Sequence, residues 1–136
     1  MFGKLEKETE KPALYSPLAL AYMGDCVYEM YVRHHLLAQG NFSSNKLHKA
    51  AMKYVCAEAQ SAFMEELEPL LSEEEEAVYK RGRNAKSPTV PKHAELIDYK
   101  RATGLEALLG FLYLEGREER INEIMTILFS KINERI

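Results

Sequence analysis

Apolar positions recur at helical spacing along nearly the whole chain, and no stretch alternates cleanly enough to predict a strand. A first helix is predicted from Ser16 as N-cap, with Pro17 in its first turn, to about Gln39, where Gly40 ends it. Asn41-Phe42-Ser43 reads as a turn, and Ser44 then caps a second helix from Asn45 to about Ala57. A third spans Glu58 to Leu67, and the pattern allows it to continue from the second. Pro69 interrupts the pattern. Ser72 and Glu75 have the spacing of a capping box for a fourth helix that ends near Arg81-Gly82. The glutamates at its start suit the helix dipole. From Arg83 to Pro91 the chain is irregular, polar and basic, with prolines at Pro88 and Pro91. Helix resumes at about Lys92, strengthens from Arg101 to Leu114 and stops at Gly116. The last helix, Glu118 to Arg135, carries Ile121, Ile124, Met125, Leu128, Phe129 and Ile132 as a one-face stripe. The expected fold class is all-α.

The length of 136 residues fits one domain with a single core, and no repeat or second domain is visible from 1 to 136. No run of 18 apolar residues predicts a membrane span. The charged start, Met1-Phe2-Gly3-Lys4-Leu5-Glu6-Lys7, lacks the apolar core of a signal peptide, so a cytoplasmic protein is expected. Cys26 and Cys56 fall in apolar, helix-like segments and are expected as reduced, small buried side chains. The net charge of -3 argues against nucleic acid, but its distribution argues the other way. Seven Lys/Arg lie between Lys80 and Arg101, against Glu95 and Asp98, while Glu65 to Glu76 holds seven Glu and no cation. A basic segment on an acidic body can still bind phosphate locally.

Two acids are out of place in this pattern. Asp25 is the only charge between Lys11 and Glu29, and Glu106 the only charge between Arg101 and Glu115. A carboxylate in an apolar helix is costly unless a cation or a set of donors meets it. Gly24, Gly104 and Gly110 flank the two acids, and glycine costs a helix about 1 kcal/mol relative to Ala. Small residues there let two helices approach, so Asp25 and Glu106 can meet across a seam. The remaining choice is between a shared divalent metal and simple pairing of each acid with Lys, Arg or a backbone group. No Cys/His cluster has zinc spacing: His34 and His35 are adjacent, and His48 and His93 stand alone. If a metal is bound, oxygen ligands favour Mg2+, with Mn2+ as substitute, over zinc. Glu29 shares Asp25's face and is a candidate supporting base, with solvation or an Arg partner as the alternative.

Leu20-Ala21-Tyr22-Met23-Gly24-Asp25-Cys26-Val27-Tyr28-Glu29 resembles the signature helix of the ribonuclease III family. Gly104-Leu105-Glu106-Ala107-Leu108-Leu109-Gly110-Phe111-Leu112-Tyr113-Leu114 resembles that family's second block. Arg81-Gly82-Arg83-Asn84-Ala85-Lys86-Ser87 and Ala102-Thr103-Gly104 are similar to its short subclass, which has the catalytic domain alone. The likeness spans roughly residues 14 to 116. It implies the helical ribonuclease III endonuclease-domain fold and a Mg2+-dependent endonuclease that cuts double-stranded RNA as a homodimer. Asp25 and Glu106 then take the places of catalytic metal ligands. Two departures stand out: the family's further acids are replaced by Ala21 and Thr103, with Thr103 left as a candidate supporting hydroxyl.

The resemblance also implies that substrate grip comes from the catalytic domain, with no separate double-stranded-RNA-binding domain. The basic segment is the natural source. Duplex RNA is recognised through shape, phosphates and 2'-hydroxyls. Arg81, Arg83, Lys86 and Lys92 are the expected phosphate contacts, with Asn84 as a polar contact. The subclass implies maturation of large-subunit (23S) ribosomal RNA precursor, and no residue pattern identifies an accessory ribosomal protein. Tyr22, beside the signature aspartate, suits either a dimer contact or the core; Tyr28, Tyr31 and Tyr113 suit core or interface. The alternative function is a non-catalytic RNA-binding or scaffold protein that keeps the fold without two of the usual acids.

Overall fold

The computed structural model describes residues 9–87 and 95–132. Among them are six α-helices: α1 (Pro17–Leu37), α2 (Ser44–Val55), α3 (Ala57–Leu67), α4 (Glu73–Arg83), α5 (Leu96–Leu114) and α6 (Glu118–Lys131). Single 3-10 turns at Pro12–Leu14 and Glu68–Leu70 complete the regular structure. The described residues contain no strand, so the all-α expectation holds.

Local signals set the helix ends. Ser16 accepts from the Ala19 amide at 3.1 Å ahead of Pro17, as the sequence indicates. The second cap is Ser43, one residue earlier than expected; it accepts from the Lys46 amide at 3.2 Å. α2 and α3 are not continuous, because Cys56 is extended (ψ 152°) and serves as the end of one helix and the start of the next. The capping box of α4 is present in full: Ser72 accepts from the Glu75 amide at 3.2 Å and donates its own amide to Glu75 Oε1 at 2.9 Å. α5 ends in a Schellman motif. Gly116 takes φ 74°, the Arg117 amide donates to the Leu112 carbonyl at 2.9 Å, and the Gly116 amide donates to that of Tyr113 at 3.0 Å. Lys92 lies outside the described residues, and α5 begins at Leu96 after Glu95. α6 ends at Lys131, with Ile132 leaving helical geometry; Arg135 is outside the described residues.

α5 runs through the centre, with α1, α3 and α4 packed around it. Ala102 to Phe111 is buried at every position except Glu106, which is half-buried. A helix covered on all sides needs no polar face, which explains its near-continuous apolar sequence. The core joins Leu20, Val27, Tyr28 and Val32 of α1 to Leu105, Leu108, Leu109 and Leu112 of α5 and to Ile121, Ile124 and Leu128 of α6. Glu75 ties α4 to α6. It is 4% exposed and takes a bidentate pair from Arg120, Nε to Oε2 at 2.8 Å and Nη2 to Oε1 at 2.9 Å.

One expectation about the core is corrected. Cys26 is exposed rather than buried, and Cys56 is half-buried. Cys26 sits on the outward face of α1 with Tyr22 and Met30, which are 84% and 46% exposed. Tyr22 is therefore not a core residue of the single chain. Tyr28 is fully buried, and Tyr31 is half-buried with its hydroxyl donating to Asn122 Oδ1.

Candidate active site

Glycine sets the distance between the two helices that carry the lone acids. A Cβ on Gly24 would overlap the Glu106 carbonyl and lie 2.8 Å from the Gly110 amide nitrogen. A Cβ on Gly110 would overlap the Leu20 carbonyl and lie 3.0 Å from the Gly24 amide nitrogen. The backbones of α1 and α5 thus touch at Gly24 and Gly110, and each glycine adjoins or faces one of the acids.

This contact brings Asp25 and Glu106 together. Asp25 is exposed at the rim and Glu106 is half-buried beneath it. The Glu106 carboxyl is pushed up to about 8, first by burial, then by the charge of Asp25 and a hydrogen bond shared with it. Glu29, one turn along α1, adds a smaller push in the same direction, and hydrogen bonding from the Gln60 side chain opposes it. A carboxyl whose ionisation is opposed by burial and by a neighbouring acid marks a place where a cation is favoured.

The donor set is oxygen only. Among the described residues no three His, Cys, Asp or Glu side chains converge as a metal site. Two carboxylates suit a hard cation that keeps several waters, as Mg2+ does, and do not suit zinc. Where the family's further acids would stand, Ala21 and Thr103 are both 7% exposed. The Thr103 hydroxyl donates to the Tyr99 carbonyl of its own helix at 2.9 Å, so its proton is already used. Glu29 faces Arg33 at 3.7 Å, an exposed pair of little energetic weight.

Two further side chains close the site from below. Tyr28 donates its hydroxyl to the Tyr54 carbonyl, and Gln60 Nε2 donates to the Val55 carbonyl at 3.2 Å. Both satisfy carbonyls left open at the C-terminal end of α2. Burial, then the neighbouring Cys56, Glu106 and Tyr54, raise the Tyr28 phenol above its ordinary range and keep it protonated. Gln60 was not among the residues singled out from sequence. The signal was there: it occupies the same stripe as Phe63, Met64 and Leu67, a polar residue in an apolar register.

The basic segment ends α4, which packs on α5. Gly82 packs on α5, where an added Cβ would lie 2.7 Å from Ala107 Cβ and 3.0 Å from Gly104 Cα. These positions flank Glu106 in sequence. Arg81 and Lys86 are exposed, and Arg83 is half-buried over the Tyr79 ring at 5.7 Å. Arg83 Nε donates to Asn84 Oδ1 at 3.2 Å, which fixes both side chains at the helix end.

The model of the Ribonuclease III domain family matches residues 18–117. The chain belongs to the ribonuclease III family. Cleavage of RNA within the strand is its class of activity. A protein of Brevibacillus brevis named Mini-ribonuclease 3 is 52% identical over 125 residues, covering 92% of this chain and 93% of that one. The Mini-ribonuclease 3 of Staphylococcus aureus is 42% identical over 124 residues, covering 90% and 92%. A crystal structure of a Fusobacterium nucleatum protein superposes with a TM-score of 0.82 at 33% identity, covering 90% of this chain and 98% of that one. The likeness to the family's short subclass is thereby borne out, and the helical fold with it. No helix of the described residues is long and apolar enough to cross a membrane.

Proposed function

We propose that this chain is a Mg2+-dependent endoribonuclease that hydrolyses phosphodiester bonds of double-stranded RNA. The observation that carries this reading is the meeting of Asp25 and Glu106 across the glycine contact of α1 and α5. These two residues would hold the divalent ion, with Mn2+ as substitute. The ion supplies an activated water and charge stabilisation for the leaving oxygen. Asp25 at the rim and Glu106 beneath it orient the centre toward solvent, where a phosphate arrives. Arg81, Arg83 and Lys86 draw the duplex onto that face, Asn84 adds a polar contact, and Lys92, outside the described residues, is a further phosphate contact of this reading.

The reading includes a homodimer. Tyr22, Cys26, Met30 and Leu37 leave an exposed apolar line along α1, beside a groove of about 430 Å³ lined by Leu36, Leu47, Met52 and Val55. A second copy seated there would cover these side chains and set two centres against opposite strands. The reading also places the enzyme in the cytoplasm, maturing the large-subunit ribosomal RNA precursor, as a single catalytic domain. The test is incubation of duplex RNA with the protein and Mg2+, against Asp25→Asn. Cleavage by the unsubstituted chain alone supports the enzyme. Retention of RNA without cleavage supports the scaffold alternative, and no retention at low salt contradicts both.

A further inference from the structure

Gln60 is 2% exposed, and only one end of its side chain has a use in the single chain. Nε2 donates to the Val55 carbonyl at 3.2 Å, while Oε1 is buried with no hydrogen-bond partner. It is the one such side-chain atom among the described residues. Native interiors rarely leave a buried acceptor unpaired, because the lost hydration is not recovered. An apolar residue of the same length would avoid that loss, and the neighbours Phe63, Met64 and Leu67 show that the stripe accepts apolar side chains. The cap on Val55 explains the amide nitrogen and leaves the oxygen unexplained.

The place of Gln60 supplies the missing half. Gln60 lies on α3, which packs against α5, and it is near enough to the Glu106 carboxyl to oppose the rise that burial and Asp25 impose there. The centre there has two carboxylates where neighbouring positions are Ala21 and Thr103, and the Thr103 proton is committed to Tyr99. Mg2+ held by few carboxylates retains several waters, each a hydrogen-bond donor that needs an acceptor. Groups that orient ligands and their waters from behind typically govern metal affinity by 10- to 100-fold.

We propose that Gln60 is a positioning residue of the carboxylate centre, steadying Glu106 and presenting its unpaired carbonyl oxygen to a donor that enters with the divalent ion. This rests on the reading of Asp25 and Glu106 as metal ligands. It assigns to α3, which carries none of the motif residues, a part in the centre that α1 and α5 form.

The test is Mn2+ binding by the full chain without RNA, followed by the loss of the free-ion paramagnetic signal, together with thermal unfolding. Gln60→Met keeps the shape and removes both polar atoms. It is expected to weaken Mn2+ binding about tenfold or more and to lower kcat on duplex RNA with KM unchanged. Gln60→Glu keeps an oxygen acceptor and is expected to restore Mn2+ binding relative to Gln60→Met. Mn2+ binding by Gln60→Met within twofold of the unsubstituted chain, with only a lower Tm, overturns the proposal and leaves Gln60 as a cap. Should Gln60→Met lose its helical dichroism, Gln60→Asn, which withdraws the amide by one methylene, takes its place with the same two outcomes. Absence of Mn2+ binding by the unsubstituted chain overturns the proposal and the metal reading together.

Discussion

Replacing Gly24 by Ala should reverse the usual sign of that substitution. In an ordinary helix interior the change stabilises by about 1 kcal/mol, because alanine has less backbone freedom to lose. Here the new methyl overlaps the Glu106 carbonyl and meets the Gly110 amide nitrogen at 2.8 Å, where ordinary contact begins near 3.4 Å. Both obstacles are backbone of the buried central helix, so no side chain can swing away. Separation of α1 and α5 is the only relief, and it loosens the packing of Leu20 and Val27 on α5. Overpacking of a tight core costs about 1–3 kcal/mol, and rigid backbone on both sides puts this case at the upper end. After the helix gain, the net loss is about 2 kcal/mol, or roughly 6 °C in Tm for a domain of this size. Gly110→Ala strains the same contact from the other side. The double substitution should therefore cost less than the sum of the singles by at least about 0.5 kcal/mol. Thermal and urea unfolding followed by circular dichroism measure all three. A higher Tm for Gly24→Ala, or strict additivity, would refute the backbone contact.

Glu75→Gln should lower stability by about 1.5–3 kcal/mol in urea unfolding, because it removes the buried charge from a bidentate pair, while Arg120 keeps Glu123 and the Leu70 carbonyl as partners. Burial alone would raise Glu75, but the hydrogen bonds from Arg120 and Ser72 outweigh it and hold the carboxyl below its ordinary 4.5. Its contribution is thus complete above pH 4.5 and lost as pH falls through the lower folded value, so the gap between the two proteins should close on acidification. Glu106 has the opposite sign. Its folded carboxyl, near 8 against an ordinary 4.5, makes the metal-free protein lose stability as pH rises from about 4.5 to 8. In chelator, Glu106→Gln should flatten that slope and gain on the order of 2–4 kcal/mol at pH 8; an unchanged slope in differential scanning contradicts it. Arg83→Ala should reduce the dependence of log affinity for duplex RNA on log salt by about 0.7–0.9, read by filter binding; an unchanged slope removes Arg83 from the phosphate contacts.

Helix ends were legible where a single side chain decides them. Ser16 with Pro17, Ser72 with Glu75, and Gly116 mark ends that the structure places within a residue or two. Ser43 and Ser44 are adjacent and chemically equal, so sequence could not choose between them. The break at Cys56 carries no Pro or Gly; the last carbonyls of α2 are taken up there by Tyr28 of α1 and, locally, by Gln60 of α3, a pairing that sequence does not announce. Asp25 and Glu106 were legible because a charge stands out in an apolar run, although Asp25 proves exposed and only Glu106 half-buried; Gly24 and Gly110 make the close approach of α1 and α5, while Gly104 packs instead on Tyr79 of α4. Cys26 was misread because an outward apolar line, Tyr22, Cys26 and Met30, has the same composition and spacing as a core-facing stripe. Gln60 was not legible as a site residue because its anomaly is a neutral amide within a buried stripe and not a charge.

The central claim is that Asp25 and Glu106 act as one centre. Cleavage rates on duplex RNA at saturating Mg2+, measured in single turnover for Asp25→Asn, Glu106→Gln and the pair, test it most directly. Groups that act as a unit are grossly non-additive, so each single substitution should abolish all but a residual rate and the double should be no slower than either. A single variant that retains a rate within tenfold of the unsubstituted chain, or a double whose loss is the product of two modest ones, would contradict it.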